Sequence, residues 1–214
     1  MFKQLKEDIA VVRERDAAAR GTFEILFLYN GLKAIRAHRI AHWLYRHKQY
    51  FWARAISQRI VSRTGIEIHP GAQIGRGLFI DHGTGVVIGE TTVVGENCTI
   101  YQGVTLGGTG KDKGSKRHPT LGNNVMVGSG AKVLGPITIG NNVRIASGAV
   151  VLSDVPDNCT VVGVPARVVR KNGERIAASD LDQVHIPDPV SQELCRLRHE
   201  IELLKKEKEK ENKE

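Results

Sequence analysis

From residue 68 onward, an aliphatic residue returns at every sixth position of the chain. A period of six fits neither the 3.6 residues of a helical turn nor the two-residue alternation of an ordinary strand. Each hexad must therefore be a short strand followed by a turn. The recurring positions are Ile68, Ile74, Ile80, then Ile88, Val94, Ile100, Leu106, and, after a longer interruption, Leu121, Val127, Val133, Ile139, Ile145 and Val151; we expect Val162 and Val168 to close the series.

Three such hexads make one triangular coil, and coils stacked about 4.8 Å apart pair their strands in parallel. The recurring aliphatic residues then form ladders inside the prism. The position four residues after each of them is mostly small or apolar as well, as at Ala72, Cys98 and Val125. We therefore predict a mainly β fold, a parallel β-helix over residues 65–171. A β-sandwich would have to produce the unbroken hexads between 121 and 151 by coincidence.

Two helical segments are predicted to flank the prism. Residues 1–64 have helical spacing, which predicts an N-terminal α-helical domain of about four helices with a break at Asn30-Gly31. Residues 172–214 form a C-terminal extension with a short helix. Its apolar residues follow the spacing of a short coiled-coil seam, at Leu194, Leu197, Ile201 and Leu204.

Composition excludes several classes of function. The net charge of +8 arises entirely in residues 1–64, which hold 13 Lys and Arg against 5 Asp and Glu. This basic segment has no recognisable nucleic-acid-binding motif, so we predict no nucleic-acid partner. No apolar run approaches the roughly 18 residues of a membrane span, and no secretory signal precedes the helices, which predicts a cytoplasmic protein without a membrane partner. The widely spaced Cys98, Cys159 and Cys195 are predicted to be reduced thiols without a catalytic role.

Six motifs between residues 8 and 171 resemble the serine acetyltransferase family of hexapeptide-repeat acyltransferases. They are RERDAAA at 13–19, IHPGAQIGRG from Ile68, IDHGTGVVIGET at 80–91, VTLGGTGK at 104–111, KRHPTLG at 116–122 and GVPARVV at 163–169. The resemblance implies a left-handed β-helix assembled as a homotrimer, with active sites between subunits. It also implies transfer of an acetyl group from acetyl-CoA to the L-serine hydroxyl, which gives O-acetyl-L-serine and CoA, the first step of cysteine biosynthesis from serine. Handedness rests on the resemblance alone.

The chemistry requires a base, because an alcohol is a weak nucleophile toward a thioester at neutral pH. His82 in Asp81-His82-Gly83 is the candidate, since a strand corner there would expose its ring. The family uses an aspartate to orient this base, and Glu67 stands at that position here. The resemblance gives His118 a role in positioning substrate or stabilising the transition state.

The serine ammonium and carboxylate call for carboxylates and a forked cation in the pocket. Asp16, Asp81 and Arg117 match the family's positions, although Ala17 replaces the proline that often follows the aspartate in the family. Acetyl-CoA is expected in a groove between neighbouring prisms, and no metal is expected. The resemblance points to five residues that would contact acetyl-CoA, namely Gly108, Thr109, Ser129, Arg144 and Arg167.

Three further expectations concern regulation and partners. L-Cysteine differs from L-serine by one atom and is expected to act as a feedback inhibitor. The sequence does not distinguish a trimer from a dimer of trimers. Many serine acetyltransferases dock a C-terminal isoleucine into O-acetylserine sulfhydrylase, whereas this chain ends on Glu214, so we predict no tight complex of that kind.

Three alternatives compete with this interpretation. Another hexapeptide acetyltransferase could acylate a sugar or antibiotic hydroxyl, but it would not need a pocket with Asp16, Asp81 and Arg117. A γ-class carbonic anhydrase would need three histidine ligands for zinc; His82 and His118 could supply two, but the next histidine after His118 is His185, beyond the prism. A non-catalytic trimeric scaffold is the third alternative.

Overall fold

The structure is a computed structural model that describes residues 2–110 and 114–175. In these residues, four helices precede sixteen short strands. The helices are α1 (Phe2–Arg15), α2 (Thr22–Leu28), α3 (Asn30–Arg46) and α4 (Tyr50–Thr64). The strands are β1 (Ile66–Ile68), β2 (Gln73–Ile74), β3 (Phe79–Ile80), β4 (Val86–Ile88), β5 (Val93–Val94), β6 (Thr99–Ile100), β7 (Thr105–Gly107), β8 (Thr120–Leu121), β9 (Met126–Val127), β10 (Lys132–Leu134), β11 (Thr138–Ile139), β12 (Arg144–Ile145), β13 (Val150–Val151), β14 (Cys159–Gly163), β15 (Ala166–Lys171) and β16 (Glu174–Arg175).

Successive strands belong to three different sheets, so the chain winds into a parallel β-solenoid. The three sheets have the orders β1-β4-β7-β10-β13, β2-β5-β8-β11 and β3-β6-β9-β12-β14-β15-β16. In each sheet the recurring aliphatic residues lie directly over one another, and nearly all are buried. One such ladder is Ile68, Ile88, Leu106, Val133 and Val151. The predicted parallel β-helix and its hexad register are confirmed.

The last turn of the solenoid differs from the prediction. Val155 continues the second ladder only four residues after Val151, because it pairs with Ile139 across a shortened corner. The third ladder consequently ends at Val161, which is 1% exposed, whereas Val162 is 36% exposed. The prediction that Val162 closes the series was wrong by one residue. The chain then reverses, and β15 pairs antiparallel with β14, with Val168 packed against the end of the core.

One corner of the solenoid is held by a ladder of asparagines in the left-handed region. Asn97, Asn124, Asn142 and Asn158 have φ between 56° and 59°. Asn tolerates this conformation better than other residues with a Cβ, because its short polar side chain bonds locally. The Asn124 amide donates to Asn142 Oδ1 at 3.0 Å, and the Asn142 amide donates to Asn158 Oδ1 at 2.9 Å. The side chains of Asn124, Asn142 and Asn158 are therefore hydrogen-bonded to one another from coil to coil.

The helices cover the N-terminal end of the solenoid. Helices α3 and α4 both contact β1, and α3 also contacts β3. The approach is so close at Gly31 that a Cβ there would overlap the Ile80 carbonyl oxygen. The predicted break is also present, since α2 ends at Leu28 and α3 begins at Asn30.

The predicted seam from Leu194 to Leu204 lies outside the described residues. Within the described part of the chain, no helix is long and apolar enough to cross a membrane.

A buried histidine in α3 predicts a pH dependence of stability. Burial lowers the pKa of His38 to about 3, and the neighbouring His42 adds to the effect. Because the folded pKa lies below the unfolded value, the unfolded chain binds the extra proton as pH falls through about 6.5. We expect this one group to reduce the unfolding free energy by up to about 1.4 kcal/mol per pH unit between pH 6 and pH 3.

Urea denaturation of the wild type and of His38→Gln at several pH values would measure this contribution. The variant is expected to lose less stability on acidification, whereas the matched change His47→Gln, at an exposed histidine, is expected to leave the slope unchanged. If the free energy of unfolding fell equally steeply with decreasing pH in the wild type and in His38→Gln, the prediction would be contradicted.

Candidate active site

The corner between β3 and β4 gathers four polar side chains, which we call the corner group: Asp16, Tyr29, Asp81 and His82. The corner is two residues longer than a regular hexad turn. His82 adopts φ 55° there, and its side chain is 75% exposed. Its Nε2 lies 4.0 Å from Asp81 Oδ1. Left-handed backbone at a residue with a Cβ carries strain, which is common at functional sites. The expectation that the corner exposes the ring of His82 agrees with this geometry.

Asp16 joins the corner group from the end of α1. Its Oδ2 accepts a hydrogen bond from the Tyr29 hydroxyl at 2.6 Å, and its Oδ1 accepts one from the Ala18 N–H at 2.8 Å. The bond from Tyr29, then that from Ala18, lowers the pKa of Asp16, so the carboxylate stays ionised. Burial and the bond to Asp16 raise the pKa of Tyr29 to about 12, so its hydroxyl remains a donor.

Arg15 anchors this end of α1 to the solenoid. Its guanidinium donates to the Cys98 carbonyl oxygen at 3.1 Å and to Thr99 Oγ1 at 3.0 Å. These bonds hold the end of α1, which Asp16 directly follows.

A second set of side chains, the loop group, lies where β4 ends and where the chain returns to the solenoid after residue 114. It comprises Tyr45, Glu90, Thr91, Arg117 and His118. Arg117 Nη2 lies 2.6 Å from Glu90 Oε2, and the Tyr45 hydroxyl donates to Glu90 Oε1 at 3.0 Å. The forked cation predicted from the sequence is therefore already paired and held.

His118 is 8% exposed and lies among glycines. Burial, followed by the nearby Arg117 charge, lowers its pKa, so the ring favours its neutral form. A Cβ on Gly89 would overlap the ring of His118, and one on Gly108 would lie 3.0 Å from Nε2. The ring fits here because both positions lack a side chain.

Gly89→Ala is therefore expected to displace His118. Overpacking of this kind typically costs about 1–3 kcal/mol of stability. If His118 takes part in the reaction, kcat should also fall by about tenfold or more. Thermal melting and steady-state kinetics would check this, with Gly21→Ala as the matched control, because nothing lies within 4 Å of a Cβ there. Wild-type kinetics in Gly89→Ala would mean that the ring can shift without consequence.

Glu67 lies in β1 and faces outward between two buried isoleucines. Its Oε1 binds Arg54 Nη2 at 3.2 Å. Among the described residues no hydrogen bond joins Glu67 to His82, so a single chain does not bring together the predicted base and its orienting partner. The corner group and the loop group are likewise separate in one chain, because they lie at opposite ends of the strands of the first sheet.

The residues predicted to contact acetyl-CoA are spread along the solenoid. The Thr109 N–H donates to the Arg117 carbonyl oxygen at 3.2 Å, which places Gly108 and Thr109 beside the loop group. Ser129 Oγ lies 3.4 Å from Ser147 Oγ. Arg144 lines a surface pocket of about 440 Å³ on the third sheet, and Arg167 lies exposed in β15.

Sequence reasoning missed Tyr29, Tyr45, Glu90 and Thr91. Glu90 and Thr91 had a signal, because they follow the buried Ile88 within the IGET motif. The sequence carries no comparable signal for Tyr29 and Tyr45, because their contacts depend on how the helices pack on the solenoid. In the described ranges, no three His, Cys, Asp or Glu side chains are placed to hold a metal ion.

Comparison with known proteins identifies the family. The model for bacterial transferase hexapeptide (six repeats) matches residues 118–153. The chain is 58% identical over 210 residues to the serine acetyltransferase of Bacillus subtilis, covering 97% of this chain and 95% of the relative. It is 56% identical over 206 residues to that of Bacillus licheniformis, covering 96% and 94%. This chain belongs to the serine acetyltransferase family. The predicted acyltransferase is thus confirmed.

Solved structures agree with this assignment. The Neisseria gonorrhoeae serine acetyltransferase in complex with serine superposes with a TM-score of 0.75 at 45% identity, covering 79% of this chain and 69% of that one. The Brucella abortus enzyme in complex with coenzyme A gives a TM-score of 0.76 at 46% identity, covering 79% and 68%. A serine acetyltransferase is therefore favoured over the carbonic anhydrase, the sugar acyltransferase and the scaffold.

Proposed function

We propose that this serine acetyltransferase uses His82 as the general base that activates the L-serine hydroxyl toward acetyl-CoA. The observation that carries the proposal is the exposed ring of His82 beside the carboxylates of Asp81 and Asp16. These carboxylates would bind the serine ammonium group, and Arg117 would bind the serine carboxylate. The reaction gives O-acetyl-L-serine and CoA, the first step of cysteine biosynthesis.

The acetyl transfer is balanced in protons and electrons at each step. His82 accepts the hydroxyl proton as the serine oxygen attacks the thioester carbonyl and a C–O bond forms. Negative charge develops on the carbonyl oxygen, where a hydrogen-bond donor such as His118 would stabilise it. The C–S bond then breaks, and the proton held by His82 passes to the departing thiolate. Gly108, Thr109, Ser129, Arg144 and Arg167 are proposed to hold acetyl-CoA.

A CoA-release assay tests this function. We expect a free-thiol signal from acetyl-CoA that requires L-serine and does not appear with L-alanine, which lacks only the hydroxyl. A signal that is independent of serine, or one that needs a sugar hydroxyl instead, would overturn the proposal. L-Cysteine is proposed to inhibit competitively with serine, because a pocket for one should admit the other.

We also propose that the active site is shared between subunits of a homotrimer, with a dimer of trimers as the further possibility for assembly. The separation of the corner group from the loop group within one chain supports this. A neighbouring chain related by threefold symmetry could present its loop group to the corner group, and its Glu67 to His82. The helical segment 1–64, the solenoid 65–171, the extension 172–214 and a cytoplasmic location remain predictions from the sequence.

Subunit complementation would test the shared site. We expect His82→Ala and Arg117→Ala to be nearly inactive alone. Refolding the two together should restore activity to about a quarter of the wild-type level, because random mixing places an intact His82 opposite an intact Arg117 at that fraction of interfaces. No recovery in mixed trimers, verified by light scattering and mass spectrometry, would place each site within one chain.

A further inference from the structure

Thr91, just after the end of β4, is hydrogen-bonded to each of residues 116–118. Its N–H donates to His118 Nδ1 at 3.2 Å, and its carbonyl oxygen accepts from Lys116 Nζ at 2.6 Å. Its Oγ1 accepts from the Arg117 N–H and from the His118 N–H, both at 3.1 Å. The same Oγ1 lies 2.9 Å from His118 Nδ1. One threonine thus contacts two of the residues proposed to act on the substrate.

The direction of the last bond follows from counting hydrogens. A hydroxyl has one hydrogen and two lone pairs. Both lone pairs of Thr91 Oγ1 are taken by main-chain N–H groups, so its hydrogen is left for His118 Nδ1. That nitrogen also receives the Thr91 N–H, and a nitrogen that accepts two hydrogen bonds carries no hydrogen of its own. The neutral ring must therefore hold its hydrogen on Nε2.

We propose that Thr91 is a positioning residue that locks His118 as the Nε2–H tautomer, which makes His118 a hydrogen-bond donor and not a base. This deepens the proposed function and rests on it for the role of His118. The Nε2 side of the ring lies against Gly89 and Gly108, two positions without side chains. His82 and His118 then divide the chemistry: one accepts the proton, and the other donates a hydrogen bond to the developing oxyanion or to a substrate oxygen.

The electrostatic surroundings agree with this division. Glu90 favours the protonated ring, whereas burial, Arg117 and Lys116 all oppose it, and the net effect lowers the pKa of His118. Glu90 is itself bound by Arg117 and Tyr45 and so supplies little uncompensated charge. A ring that stays neutral at pH 7 needs its tautomer set by hydrogen bonds, and Thr91 is the described residue that binds Nδ1.

Nitrogen NMR of the full-length protein with ¹⁵N-labelled histidine tests the assignment directly, with His118→Ala identifying the signal. In the wild type we expect Nδ1 to give the shift of a bare ring nitrogen and Nε2 that of a protonated one. The opposite pattern would overturn the proposal without any variant having to fold. Thr91→Val keeps the main-chain N–H that donates to Nδ1 but loses the hydroxyl, so its His118 signals should move part of the way toward tautomer averaging, whereas in Thr91→Ser they should stay as in the wild type.

Kinetics of the same variants separate positioning from packing. Thr91→Val is expected to lower kcat by about 10- to 100-fold, the usual effect of misplacing a catalytic group, with the KM for acetyl-CoA nearly unchanged. Thr91→Ser keeps the hydroxyl and should retain kcat within about threefold of the wild type. Equal loss in Thr91→Ser and Thr91→Val would overturn the proposal, because keeping the hydroxyl would then give no advantage. Normal turnover in His118→Ala, with the Nε2–H tautomer present in the wild type, would instead remove the proposed role of His118 and leave the role of Thr91 in setting the tautomer supported.

Discussion

Replacing His82 with alanine is expected to lower kcat by about 10²- to 10⁴-fold, the usual contribution of a positioned general base. The side chain is exposed and makes no described hydrogen bond, so its removal should leave the fold intact. Acetyl-CoA should still bind, because the residues proposed to hold it lie elsewhere on the solenoid. Serine-dependent CoA release would measure kcat, and calorimetric titration with CoA would measure binding.

The matched control is His47→Ala, which removes another exposed histidine at the end of α3. That variant is expected to turn over serine like the wild type. Activity of His82→Ala within a few-fold of the wild type would mean that another group accepts the hydroxyl proton. Loss of activity together with loss of CoA binding would instead indicate a structural role for the β3–β4 corner.

Replacing Arg117 with lysine is expected to raise the KM for serine by about 100-fold while changing the KM for acetyl-CoA little. A guanidinium can hold a carboxylate through two parallel hydrogen bonds, whereas an ammonium acts as a single point charge, and a lost charged hydrogen bond costs about 1.5–3 kcal/mol. Lysine is chosen over alanine because Glu90 is paired with Arg117, and alanine would leave that carboxylate without its cation.

Steady-state kinetics with each substrate varied in turn would measure the two constants. Arg59→Lys, at an exposed position in α4, is the matched control and should leave both constants unchanged. A parallel rise in the KM for serine and the KM for acetyl-CoA would show that Arg117 organises the loop that precedes β8. An unchanged KM for serine would exclude Arg117 from binding the serine carboxylate.

The sequence predicted the solenoid because its rule is local and repeated. Each inward residue is set by its distance along the chain from the previous one, and parallel stacking then aligns the ladders without further information. The rule failed where the repeat itself changed. Val155 follows Val151 by four residues instead of six, and Val161 then follows Val155 by six, so the buried residue is Val161 and not the predicted Val162.

For the site, the sequence determined the chemical types at the two ends of the first sheet, since Asp81-His82 and Arg117-His118 follow directly from the hexad rhythm and its interruption. Tertiary structure alone decided what these groups bind. Tyr29 reaches Asp16, and Tyr45 reaches Glu90, through the packing of α3 and the segment before it against the solenoid. Such contacts join residues that are far apart in the chain and belong to different structural repeats. No periodicity encodes them, because they depend on the angle and depth at which a helix meets a sheet.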